Sequence, residues 1–199
     1  MLRMLYVRNI VTRSSVGDTR TRILDAAFAA LSTYGLGRMS LEDVAREAGL
    51  SRQTVYRYFG TKNELIAAAV LREEETFIAG VRAASEPHRD LRPAIEACIR
   101  RSLEMARAHP LLDRLLESEP EALLPFLTTG AGPVLSASHA VMVELLGERL
   151  PHLSAAEVHR AADTASRLLI SYAINPPDDP IDEVASGLAD LLVHGLKPN

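Results

Sequence analysis

Three helix-capping signals fall within 22 residues, 40 to 61, and the helices they delimit have room for only about two turns each. Ser40 opens the first, with Asp43 three residues on as an acidic capping box, and Met39 and Val44 at the positions of a hydrophobic staple. Gly49 stops that helix at Ala48, and Ser51 opens a second over residues 52–59, with Leu50 and Val55 as another staple. Gly60 ends it, and Thr61-Lys62-Asn63-Glu64 starts a third, running to about Ala84. Helices this short are marginal alone, so both must be held by packing on longer neighbours. The preceding helix, residues 19–34, supplies one: Ile23, Ala26, Ala27, Ala30, Leu31 and Tyr34 recur at three- and four-residue steps, with Gly35 beyond the end. Two short helices joined by a glycine turn and packed on a third form a helix-turn-helix, here about residues 41–60.

Proline marks the other boundary. None of the 11 prolines precedes Pro87, and from there they punctuate Ala/Leu-rich segments without period-2 alternation. The expected fold is therefore all-α. It comprises an arm at residues 1–18, a three-helix helix-turn-helix domain at 19–79 and a larger helical domain at 80–199. At 47% hydrophobic and 24% charged the chain can build these cores, and it has no apolar run of the ~18 residues that a membrane-spanning helix needs. A single cysteine excludes an internal disulfide and a thiolate zinc cage, and fits the cytoplasm.

Net charge is −4, yet residues 1–62 hold 10 basic against 5 acidic side chains, while the remainder holds 12 against 21. That asymmetry fits a basic head that meets phosphate. In the second short helix, RQTVYRYF, Val55 and Phe59 share the core-facing side and leave Arg52, Gln53, Thr54, Tyr56 and Arg57 outward, with Tyr58 at the margin. An arginine fork matches guanine, glutamine matches adenine and a threonine methyl can meet thymine. Tyrosine hydroxyls and Lys62, at the next helix start, suit phosphate oxygens.

At SLEDVAREAGLSRQTVYRYFGTKNELI, residues 40–66, and at Thr21-Arg22-Ile23-Leu24-Asp25-Ala26-Ala27, the chain resembles the tetracycline-repressor (TetR) family of transcriptional regulators. The resemblance covers a quarter to a third of the chain. It implies double-stranded DNA contacts at Ser40, Arg52, Gln53, Thr54, Tyr56, Tyr58 and Lys62. It also implies a homodimer that leaves a palindromic operator when a small-molecule effector binds. The basic extension, residues 1–18 with Arg3, Arg8 and Arg13, is outside the family pattern and reads as a disordered arm or an upstream start.

The remaining signals are weaker. Helices are expected over about 154–174 and 181–195, and the family pairs such helices across a two-fold axis. The stripe residues Ala165, Leu168, Tyr172, Val184, Leu188 and Leu191 are thus either interface or ordinary core. Cys98, Met105, Phe126 and Met142, on the middle helices, are candidates for an apolar effector pocket or again for core. Six histidines without an i,i+4 pair argue against a metal, and no cofactor-binding or nucleophile motif occurs, so no enzymatic activity is expected. An activator, a ligand-independent regulator, or a helical small-molecule enzyme or carrier with a vestigial head would share this architecture. A vestigial head should have lost the RQTVYRYF face.

Overall fold

The computed structural model describes residues 2–121 and 132–196, and every regular element among them is an α-helix. In chain order these are α1 (Leu2–Arg38), α2 (Leu41–Glu47), α3 (Arg52–Tyr58), α4 (Lys62–Ser85), α5 (Leu91–Arg107), α6 (Pro110–Ser118), α7 (Gly132–Arg149), α8 (Ala155–Ile174) and α9 (Ile181–Gly195). They form two compact units, Met1–Glu73 and Glu74–Asn199. The division falls inside α4, on the same helix as the boundary at 79/80 expected from the sequence.

The backbone of α1 is helical well before residue 19, through the extension for which a disordered arm was one of two expectations. No proline interrupts residues 2–34, and one interior glycine weakens a helix by only about 1 kcal/mol. The stop is at Gly35, whose φ of 79° and ψ of 172° lie where essentially only glycine is at ease.

The three capping signals are all formed. Ser40 accepts from the Asp43 amide at 3.2 Å while the Asp43 carboxylate accepts from the Ser40 amide at 3.1 Å. The Ser40 hydroxyl, then the backbone and Arg46, hold the Asp43 carboxyl below its ordinary range, against the opposing effect of burial. Ser51 accepts from the Thr54 amide at 3.1 Å. Thr61 accepts from the Glu64 amide, and Glu64 reaches back to the Gly60 amide.

Between α2 and α3 the chain closes a Schellman turn: the Leu50 amide donates to the Ala45 carbonyl and the Gly49 amide to that of Arg46. Gly49 takes φ +63°, the left-handed conformation this turn requires. The Arg22 guanidinium, from α1, donates to the Ala48 carbonyl at 2.6 Å and so occupies one of the last open acceptors of α2. Ile23, Ala27 and Leu31 of α1, Val44 of α2, Val55 of α3, Phe59 and Leu65 are all buried. Truncating Val55 alone would remove roughly 2 kcal/mol from a unit with little to spare.

In the second unit α7 packs along α8, and α9 along α5. Their shared core includes Ile95, Leu103, Leu146, Ala162, Ala185 and Ala189. Along the α5–α9 seam Arg92 donates to Asp190 at 2.6 Å and to Ser186 at 2.9 Å, and Arg100 pairs with Asp182 at 2.7 Å. Glu96 lies between the two arginines and binds both, at 2.5 and 2.6 Å.

Candidate nucleic-acid interface

Because Val55 and Phe59 point inward, α3 presents the opposite face to solvent. Arg52, Gln53, Tyr56 and Arg57 are exposed, and Thr54 and Tyr58 are half-buried at its edges. A tyrosine 45% exposed, as Tyr56 is, leaves its ring and hydroxyl open to a partner. The Arg20 guanidinium lies 4.8 Å from the Phe59 ring centroid, and that of Arg57 lies 5.8 Å from the Tyr58 ring, so aromatic faces steady two arginines of this unit.

Several residues expected at DNA are engaged within the protein, Thr54 among them through the Ser51 hydroxyl at 2.9 Å. The Ser40 hydroxyl donates its one hydrogen to Asp43 at 2.5 Å, so in this state it has acceptor capacity only. Lys62 donates to the Gly37 carbonyl at 3.1 Å, tying the start of α4 to the last turn of α1, beyond the kink at Gly35. An ammonium group has three donors, and this bond leaves two for a phosphate. If Lys62 meets phosphate, Lys62→Ala lowers affinity for all duplexes by a similar factor. It also flattens the plot of log affinity against log salt by about 1 unit per subunit, about 2 for a dimer. An unchanged slope would assign Lys62 to loop anchoring alone.

Arg52 is also partnered. Its guanidinium pairs with the carboxylate of Glu42, on the first turn of α2, and both side chains remain substantially exposed. Reading the sequence missed Glu42 and Arg22. Each acts on a residue remote in sequence, so no local pattern marks it.

The second unit encloses a cavity of about 10 Å³, lined by Phe77 and Val81 of α4, Cys98, Ile99 and Ser102 of α5, Ser138, Val141 and Met142 of α7 and Leu169 of α8. That is room for about one water. Of the four pocket candidates, Cys98 and Met142 line it. Met105 instead packs on Gly80, its sulfur 3.0 Å from where a Cβ there would sit, and Phe126 lies outside the described residues. A wider hollow of about 310 Å³ is open to the surface between α7 and α8, beside His159, whose ring stacks on His139 at 5.2 Å; Cys98, Met105 and Met142 are not among the described residues that line it.

The Cys98 thiol lies 3.7 Å from the Val81 carbonyl, and burial pushes its pKa up to about 11, despite opposing effects of Ser85 and Arg149. With almost no thiolate at pH 8, it is expected to resist iodoacetamide in the native protein and react on unfolding. Rapid native-state labelling would show that this cavity opens readily.

Of the stripe residues, Ala165, Val184 and Leu188 are buried within the chain's own core, at 6%, 8% and 7% exposure. They are therefore intrachain packing, because each stripe is wide enough to face inward along one edge. Leu168 and Tyr172 are half-buried, and Leu191 is 61% exposed. No helix among the described residues is long and apolar enough to cross a membrane, and no cluster of three metal-ligating side chains occurs among them.

Comparison with known proteins agrees with this geometry. Residues 23–69 match the domain described as bacterial regulatory proteins, tetR family, and residues 90–194 match the bacterial tetracyclin repressor C-terminal domain. The HTH-type transcriptional regulator AlkX of Mycobacterium tuberculosis is 29% identical over 185 residues, covering 89% of this chain and 87% of its own. The crystal structure of the TetR family repressor AlkX from Dietzia, implicated in biodegradation of n-alkanes, superposes with a TM-score of 0.67 at 31% identity, covering 89% of this chain and 94% of that one. The fatty acid degradation regulator FadR of Bacillus halodurans shares the fold, with a TM-score of 0.59 at 18% identity over 89% of this chain and 99% of its own. A capped helix-turn-helix with an exposed basic and aromatic α3, joined to the matching helical domain, makes this chain a member of the TetR family of DNA-binding transcriptional regulators.

Proposed function

We propose that the protein is a dimeric repressor that reads a palindromic operator with two α3 helices and releases it when an uncharged, apolar effector enters the second unit. The observation that carries the DNA-binding half is the α3 face, Arg52, Gln53, Tyr56 and Arg57 exposed over buried Val55 and Phe59. Two-fold related recognition helices need successive major grooves, one helical turn apart. Such a role belongs in the cytoplasm.

The effector class follows from the cavity lining. Among the described residues that line it none is charged, so a carboxylate or ammonium would enter without a counter-charge from them. A neutral hydrocarbon-like molecule fits that lining, and the n-alkane connection of the Dietzia repressor points the same way. The cavity must expand to admit it. Phe77 and Val81 lie on α4, the helix that also carries Lys62, so expansion acts on a segment belonging to both units. Release requires only that the effector bind the expanded state better than the DNA-bound one.

A duplex selected by the protein from a randomised pool, and a scrambled control, test the reading. Arg52→Ala and Gln53→Ala should each lower affinity for the selected duplex by ~1–3 kcal/mol and relax preference at one base pair. Equal losses on both duplexes would make the two residues phosphate contacts.

A further inference from the structure

We infer that Glu42 is a positioning residue for DNA reading: its carboxylate holds the Arg52 guanidinium in a base-reading orientation and weakens binding to duplexes that offer Arg52 no matching base. The inference rests on Arg52 contacting a base edge.

Both ends of the pair stand on fixed backbone. Glu42 lies in the first turn of α2, where the Ser40–Asp43 capping box closes the helix start and Leu41 and Val44 are buried on either side. Arg52 is the first residue of α3, whose start is capped by Ser51. The turn between them is closed by the left-handed Gly49 and by Arg22 on the Ala48 carbonyl. The two side chains therefore leave rigid supports and meet across ten residues of chain.

The pair does not act as a core staple. The Arg52 and Glu42 side chains are 60% and 42% exposed, and exposed ion pairs add little to stability. What the pair changes is geometry. An exposed arginine samples many rotamers, whereas one seated on a carboxylate is preset. Glu42 takes an Nη2 hydrogen and leaves the other guanidinium donors open, enough for the two-bond fork that guanine accepts. The same carboxylate lies beside a surface built to approach phosphates. When Arg52 turns to a backbone oxygen instead of a base, Glu42 is left unneutralised near the DNA. Its charge thus favours one use of Arg52 and opposes the other.

The test uses the full-length protein, the selected duplex and its scrambled control, with Glu42→Ala in the native and Arg52→Ala backgrounds. Glu42→Ala should raise affinity for the scrambled duplex by about 2-fold and lower the selected-to-scrambled ratio by about 5-fold, the upper end of what an exposed ion pair supplies. In the Arg52→Ala background it should leave that ratio unchanged within about 2-fold, because the group it positions is gone. Glu42→Gln, which keeps an acceptor without the charge, should fall between. An unchanged ratio in Glu42→Ala, with Arg52→Ala still lowering it, would show that Arg52 reads unaided and overturn the assignment. An equal fall in both backgrounds, with a lowered unfolding midpoint, would make Glu42 a structural residue of α2. If Arg52→Ala itself leaves the ratio intact, the base-reading role fails, and the role of Glu42 with it.

Discussion

Leu191→Asp is expected to give a monomer by sedimentation, with unchanged helix content and operator affinity lower by about 100-fold or more, the scale on which joined binding sites gain over single ones. Leu191 is 61% exposed, so an aspartate there leaves the chain's own core intact. One turn before it is Gly187, where an added Cβ would meet nothing within 4 Å, so that side of α9 is low and open. In a two-fold pairing of α8 and α9 a leucine on that side would be covered, and a carboxylate in its place would be buried without a partner. Leu188→Asp is a different experiment. At 7% exposure it disrupts the α5–α9 core and is expected to unfold the second unit. If Leu191→Asp remains dimeric, the subunits meet elsewhere.

Gly49→Val is expected to destabilise the first unit and to weaken DNA binding with it. The φ of +63° at Gly49 places a β-branched side chain in backbone strain of roughly 1–3 kcal/mol. Space is not the obstacle, since an added Cβ would meet only the Arg22 guanidinium, at an ordinary 3.5 Å. For a unit of this size that strain corresponds to about 5–20 °C of melting temperature. It also loosens the turn that aims α3, so DNA binding should fall with stability. Gly49→Asn, which tolerates the left-handed region, should retain most of both. Equal melting of the two variants would show that another segment absorbs the strain.

The contrast between what the sequence displays and what it hides follows from the range of the interactions. Caps are local: Ser40, Ser51 and Thr61 each act on an amide three residues away, and glycine marks its own turn at Gly35 and Gly49. The α3 face is legible for the same reason, since Val55 and Phe59 lie four residues apart and their partners hardly matter to which side is left outside. The cavity is not legible. Its wall draws on α4, α5, α7 and α8, and nothing about Ser138 or Leu169 in isolation distinguishes them from other core positions. The Glu42–Arg52 pair and the α5–α9 seam are likewise joined by folding. Periodicity finds the stripes on α8 and α9, but it cannot say which edge of a wide stripe faces home, and Ala165, Val184 and Leu188 were on the inner edge.

The charged seam between α5 and α9 acts as a key cut to a single lock. Arg92 meets Asp190 and Ser186, and Arg100 meets Asp182, with Glu96 between the two arginines; on each helix the residues are one turn apart, and the two rows run in opposite directions. Sliding α9 one turn either way would bring an aspartate toward Glu96, carboxylate against carboxylate, and take both arginines off the aspartates they now meet, leaving them Glu96 alone. One-turn ratchets are among the movements by which packed helices switch state, and this seam tilts the balance against that route for α9 by the modest amount that exposed ion pairs supply. The register at which the helix bearing Leu191 lies along α5 is thus written in charge as well as in packing.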